Sequence, residues 1–170
     1  GEQFKVLSVK KTYREKKAPL PFTTSTLQQE AFKALNFSTS KTMRVAQQLY
    51  EGVDIKGAGT VGLITYLRTD SVRVSDEAKN MAHDFISENY GDDFLREGPG
   101  KTSAASRIQD AHEAIRPADL TRLPSNVKDS LTREQFRLYQ LIWRRFMASR
   151  MSNAKYETTT AKIQAGEYIF

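Results

Sequence analysis

The sequence contains no cysteine. Disulfides and thiolate metal sites are therefore excluded, and the chain fits a reducing compartment. Long hydrophobic runs are also missing: the apolar stretches last only a few residues, too short to span a bilayer. No basic segment followed by an apolar one opens the chain, so no secretory signal is read. What is present describes a globular protein, with 39% hydrophobic and 27% charged residues among 170. That length suffices for one domain with a core, or for a domain with a piece of another. Acidic residues are outnumbered, 20 against 26 Lys and Arg, for a net charge of +6. Such a balance favours a polyanionic partner without identifying it.

The stretch Gly62-Leu-Ile-Thr-Tyr-Leu-Arg-Thr-Asp-Ser71 holds the strongest chemical signal. It opens as a β-strand, with a glycine followed by large and β-branched residues. Within two residues it turns polar, setting Arg68, Thr69, Asp70 and Ser71 against the strand's end. A phenol ionises only near about pH 10, so Tyr66 needs a neighbouring cation to become a nucleophile. On an extended backbone Arg68, two residues on, projects from the same face as Tyr66. A guanidinium there suits a phenolate or a phosphate oxygen. The structural alternative is a tyrosine closing a strand beside a surface Arg68–Asp70 ion pair.

Around this stretch the chain reads as an alternation of breaks and helices. Phe4 to Arg14 partly alternates apolar and polar residues, as a strand does, and Ala18-Pro-Leu-Pro21 breaks it. Thr24 or Ser25 caps a helix to about Leu35, with Asn36 as its stop; a second helix runs from Thr39 or Ser40 to Gly52. Gly52 to Gly62 holds four glycines and reads as a loop, so helix, helix, loop and strand follow one another in a winged-helix-like order. Ser75 caps a third helix that ends at Gly91, with His83 on its solvated side. Asp92 to Ser106 reads as a mobile surface loop; its glycines lack the spacing of a phosphate-binding loop. A last helix runs from about Thr132 to about Met151, with a core-facing stripe that includes Phe136, Leu138, Ile142 and Phe146. Lys155 to Phe170 reads as a hairpin around Gly166-Glu167, and its apolar end at Tyr168-Ile-Phe170 looks cut from something longer.

A second polar cluster, Asp110-Ala-His-Glu-Ala-Ile-Arg-Pro117, admits several chemistries. His112, Glu113 and Arg116 suit a proton-transfer group, a phosphate clamp or half a metal site. The metal reading is the weakest, because zinc needs more ligands and no second histidine lies four residues on. The structural alternative is a helix end with internal ion pairs, stopped by Pro117.

Together, the Gly62–Ser71 stretch and Ala111-His-Glu-Ala-Ile-Arg-Pro117 resemble the catalytic-tyrosine region of type IA DNA topoisomerases. The likeness extends upstream through Pro21–Ala31, Lys41–Met43 and Ala46–Tyr50, and downstream to Tyr139–Trp143. It thus covers nearly the whole chain. Leu67 follows the tyrosine where the topoisomerase III branch usually has proline, which points to the bacterial topoisomerase I branch.

The resemblance implies a mainly α fold: a helical, winged-helix-like domain (domain III) over residues 25–152, flanked by β-arch segments (parts of domain II) at 1–24 and 153–170. It implies Tyr66, Arg68 and His112 as catalytic residues. Tyr66 would attack a phosphodiester of single-stranded DNA and keep the 5′-phosphate. Arg68 would stabilise charge on the phosphate and phenolate, and His112 would contact a phosphate or support the leaving oxygen. Thr65, Thr69 and Arg116 are the implied DNA-binding or orienting residues, and Asp70 would orient a cationic neighbour. Strand passage and religation would relax negative supercoils without ATP. The implied partners are single-stranded DNA and the toprim domain of the same full-length enzyme. That domain would hold Mg²⁺, and no cofactor is expected in this chain. The implied location is the bacterial cytoplasm, with the nucleoid and away from membranes. The chain is expected to fold but not to relax DNA alone. A competing reading is a non-catalytic, winged-helix-like nucleic-acid-binding module with a structural tyrosine. Tyrosine recombinases and relaxases are disfavoured: the first need several dispersed Arg and His upstream of the tyrosine, the second a histidine triad.

Overall fold

A computed structural model describes residues 3–96 and 112–170. The expected loop beyond Arg96, and Asp110 and Ala111 of the second cluster, lie outside the described residues. Two compact units share the chain: Ala18–Ser152, and a unit made of the terminal segments through Lys17 and from Asn153.

The larger unit is built on capped helices. Helix α1 (Thr24–Leu35) starts from a reciprocal capping box between Thr23 and Thr26, and Asn36 ends it in a left-handed conformation with φ of 57°. The cap is thus Thr23, not the expected Thr24 or Ser25, which leaves the Thr24 hydroxyl for another role. Helix α2 (Thr39–Glu51) is capped by Ser38 and α3 (Asp76–Tyr90) by Ser75. Short α4 (Pro124–Val127) follows, with proline in its first turn. Helix α5 (Arg133–Arg150) begins with a capping box between Thr132 and Gln135. It buries Leu138, Tyr139, Ile142, Phe146 and Met147 against a core that includes Phe22, Leu27, Leu49, Leu67 and Ile115. The Tyr139 hydroxyl donates to the Arg122 carbonyl at 2.6 Å. Burial and the nearby Asp119 push this phenol well above its ordinary ionisation range, so it is a structural tyrosine.

The other unit is a ribbon. Strand β1 (Phe4–Lys16) pairs antiparallel with β4 (Ala154–Ala165) from Phe4↔Ala165 to Lys16↔Ala154, and short β5 (Tyr168–Ile169) pairs with the far end of β4. A bulge interrupts the register between Val6 and Ser8.

The fold is therefore mixed α and β, not mainly α. Helix makes up 44% and strand 25% of it, with five helices and two small sheets among the described residues. Two features cause the difference. The terminal segments pair with each other along nearly their full length. The glycine-containing stretch before the candidate tyrosine is also not an open loop: it closes as a hairpin of β2 (Val53–Ile55) and β3 (Gly59–Val61).

Candidate active site

The expected strand from Gly62 to Thr65 is an extended segment with mixed partners. The Leu63 N–H donates to the Leu49 carbonyl at the end of α2, at 2.8 Å, and the Leu63 carbonyl accepts from the Ala118 N–H at 3.0 Å. Ile64 bridges to Pro117. The segment passes so close to α2 that a Cβ on Gly62 would lie 2.8 Å from the Tyr50 carbonyl oxygen, a separation that only glycine permits.

Either side of Tyr66 is anchored. Leu63, Ile64 and Leu67 are buried. The freed Thr24 hydroxyl donates to the Leu67 carbonyl at 2.7 Å and accepts from the Thr69 N–H at 2.9 Å. The Thr69 hydroxyl in turn accepts from the Ser71 N–H. Tyr66 itself is not in the core: it is 50% exposed. Its ring meets Tyr50 edge-on, with centroids 5.3 Å apart at 63°. Arg68 and Asp70 are exposed, and among the described residues they form no ion pair with each other.

Thr65 joins this segment to the second cluster. Its N–H donates to the Arg116 carbonyl at 2.9 Å. Its hydroxyl donates to the Ala114 carbonyl at 2.8 Å and accepts from the Arg116 N–H at 2.9 Å. The second cluster is extended rather than a helix end, with Ile115 bridging to Phe22 and Pro117 to Ile64. Arg116 is 12% exposed. Its Nη2 contacts Glu113 Oε2 at 2.8 Å and its Nη1 donates to the Pro117 carbonyl. The other Glu113 oxygen accepts from the Ser75 N–H at 2.6 Å, at the start of α3. Burial alone would raise the Glu113 carboxyl. The Ser75 hydrogen bonds and the Arg116 guanidinium outweigh it and hold the group below its ordinary 4.5. His112 is exposed, and its carbonyl accepts from Arg73 Nε at 3.3 Å.

Thr65 and Arg116 are thus brought together. The Thr65 N–H and hydroxyl and both Arg116 Nη atoms, like the Thr69 hydroxyl, are engaged within the protein, while Arg116 Nε is buried without a hydrogen-bond partner among the described residues. Tyr66, Arg68 and His112 remain at the surface of two segments that Thr65 ties side by side. Tyr50, Thr24 and Arg73 complete the arrangement; their partners lie far off in sequence, so no local signal marks them.

Such an anchored, half-exposed phenol with a cation two residues on suits nucleophilic chemistry on an anionic ester. A family model described as DNA topoisomerase matches residues 1–170. The full-length topoisomerase I structure from Thermotoga maritima is similar over 98% of this chain, at 43% identity and a TM-score of 0.78. The chain spans 26% of that protein's length.

Proposed function

We propose, since the chain belongs to the DNA topoisomerase family, that it is the tyrosine-bearing part of a type IA topoisomerase I that acts on single-stranded DNA. Tyr66 is the nucleophile. Its oxygen forms a bond to phosphorus as the bond from phosphorus to the 3′ oxygen breaks; the phenolic proton passes to water, and the 3′ oxygen takes one up from water. The 5′-phosphate stays on the tyrosine and the departing 3′ oxygen leaves as a hydroxyl. Religation is the reverse displacement. It needs no ATP, because one phosphodiester is exchanged for another.

Arg68 stabilises charge on the phosphoryl oxygens and the phenolate, a contribution of ~3–4 kcal/mol for a well-placed donor. His112 contacts the phosphate or supports the leaving oxygen. Thr65, Thr69 and Arg116 are positioning residues on this reading. Their polar groups fix the two segments, and any DNA contact they make is through the backbone they shape. Asp70 orients a cationic neighbour.

Mg²⁺, on the same reading, supplies electrostatic stabilisation from the toprim domain, outside this chain. The residues described here do not fit it: they gather no group of three or more acidic or imidazole side chains, and Glu113 is engaged by Ser75 and Arg116. The chain alone is therefore inactive in relaxation. In the whole enzyme its separation from toprim opens the gate for strand passage.

The observation that carries the proposal is the 50% exposed Tyr66 between core-buried Ile64 and Leu67. A hydroxyl held at the surface by buried neighbours is presented to a ligand at little cost in conformational freedom. The test is covalent capture of end-labelled single-stranded DNA by the full-length enzyme. Tyr66→Phe abolishes the adduct, and Arg68→Ala reduces its rate on the order of 10²–10³-fold. An adduct that persists in Tyr66→Phe returns the chain to the non-catalytic module.

A further inference from the structure

The register of the ribbon sorts its charges by face. Residues opposite each other in an antiparallel pair project from the same side, and successive residues alternate sides. The pairs Lys5↔Gln164, Ser8↔Lys162, Lys10↔Thr160, Thr12↔Thr158, Arg14↔Tyr156 and Lys16↔Ala154 therefore share one face. Among the described residues it carries five cations, Lys5, Lys10, Arg14, Lys16 and Lys162, and no carboxylate. All five are exposed. The opposite face holds Lys11, Lys155, Glu15 and Glu157, which cancel, and Lys11 pairs with Glu157 at 2.7 Å. The same face carries Phe4, Val6 and Val9 at its far end. The bulge at Leu7 lets Lys5 rejoin the cationic side.

We propose that the cationic face of this ribbon is a nucleic-acid site that binds the phosphate backbone of duplex DNA, separately from the strand that Tyr66 would cleave. Charge complementarity carries the choice of occupant. Five cations without an acid, spread over a strand of about 40 Å, match a regular polyanion and nothing neutral. Hydroxyls of Thr158 and Thr160 stand between the cations on this face and add donors for phosphate oxygens, while the Thr12 hydroxyl donates to the Thr158 carbonyl. Tyr156 is the only aromatic among the paired residues of this face. Single-strand grooves rely on successive aromatics for base stacking, so the face suits a backbone whose bases are turned inward. The site goes beyond the Tyr66 reading and survives its failure, because it depends on the ribbon alone.

The test is fluorescence anisotropy with a labelled duplex and the matching single strand, using the 170-residue chain over a range of salt. Two double variants remove equal charge from opposite faces: Lys10→Gln/Arg14→Gln and Lys11→Gln/Lys155→Gln. The first is expected to weaken duplex binding on the order of tenfold and to flatten the salt slope by about 1.8, at about 0.9 per phosphate contact. The second is expected to change it less than about twofold, because those lysines share their face with two carboxylates. All four side chains are exposed, so both variants should melt as the parent does. Equal losses from the two pairs, or none from the first, would overturn the site, since net charge rather than face would then govern binding. A larger loss for the single strand than for the duplex would overturn the choice of occupant.

Discussion

The two units are made from the same alphabet but are held together in different ways. From Phe22 to Met147 the helical unit buries a continuous set of apolar side chains, including Phe22, Leu27, Leu67, Ile115, Tyr139 and Phe146. Every residue of β1 in the ribbon is exposed, and on β4 only Ala165 is buried. One unit rests on burial, which scales with apolar area. The other rests on ladder hydrogen bonds and cross-strand pairs, which contribute a few tenths of a kcal/mol each to about 1. The contrast bears on function. A side chain that must be placed to within a fraction of an ångström belongs in the first kind of unit, and Tyr66 is there. A surface that must offer spaced charge to a long ligand belongs in the second.

The largest expected effect comes from the residue between the two candidate catalytic side chains. Leu67 is 1% exposed, so Leu67→Ala should lower unfolding free energy by ~2–5 kcal/mol, from lost burial and the cavity left behind. Val9→Ala removes less apolar bulk from an exposed ribbon site and should stay within ~0.5 kcal/mol. Urea denaturation of the two variants reads the difference directly. If Leu67→Ala falls within ~1 kcal/mol of the parent, the tyrosine segment is not anchored as described and the contrast between the units fails.

Local signals made the helical unit largely legible. Ser75 and Thr132 cap their helices because a short polar side chain precedes each apolar periodicity, and Gly91 closes α3. What escaped was set by distant partners. Leu63-Ile64 has the composition of a strand, yet its hydrogen bonds go to Leu49 and Ala118 rather than to a ladder. The β2–β3 hairpin is only three residues per strand, too short for an alternation to show, and its glycines read as loop. The mate of β1 lies beyond the whole helical unit, so local spacing does not reveal the pairing that makes the fold mixed α and β. At the site, the motif residues were visible as residue types. That Thr24 holds the Leu67 and Thr69 backbone, or that Tyr50 abuts Tyr66, depends on pairings that sequence spacing does not encode.

An intermediate effect should appear at Glu113, where burial and charge meet. The side chain is 19% exposed and bonded to both Ser75 and Arg116. Glu113→Gln keeps the shape but loses the charge opposite a largely buried guanidinium, with an expected cost of ~1–3 kcal/mol at neutral pH. The sign of the pH dependence follows from the lowered ionisation of this carboxyl. Its stabilisation is fully present above the ordinary 4.5 and is lost as pH falls through the lower folded value. The gap in urea midpoint between parent and Glu113→Gln should therefore narrow below about pH 4.5. A gap that does not change with pH would remove the charged pair from the account of how the His112 segment is held.

The smallest effect lies on the ribbon, at Lys11 and Glu157. Their side chains are 58% and 44% exposed at a separation of 2.7 Å. Water screens such a pair and two flexible side chains lose freedom in making it, so a double-mutant cycle with Lys11→Ala and Glu157→Ala should give a coupling of ~0.2–1 kcal/mol that fades with added salt. The weak coupling still matters for the contrast between the ribbon's faces, because a pair that barely stabilises the fold can cancel charge just as completely. Glu157→Gln should leave the melting curve almost where it was while making the neutral face more cationic, and with it less different from the face that carries Lys10 and Arg14. A coupling well above 1 kcal/mol would mean that the ribbon depends on its charge pattern for stability as well as for binding, and the division of labour between the two units would have to be redrawn.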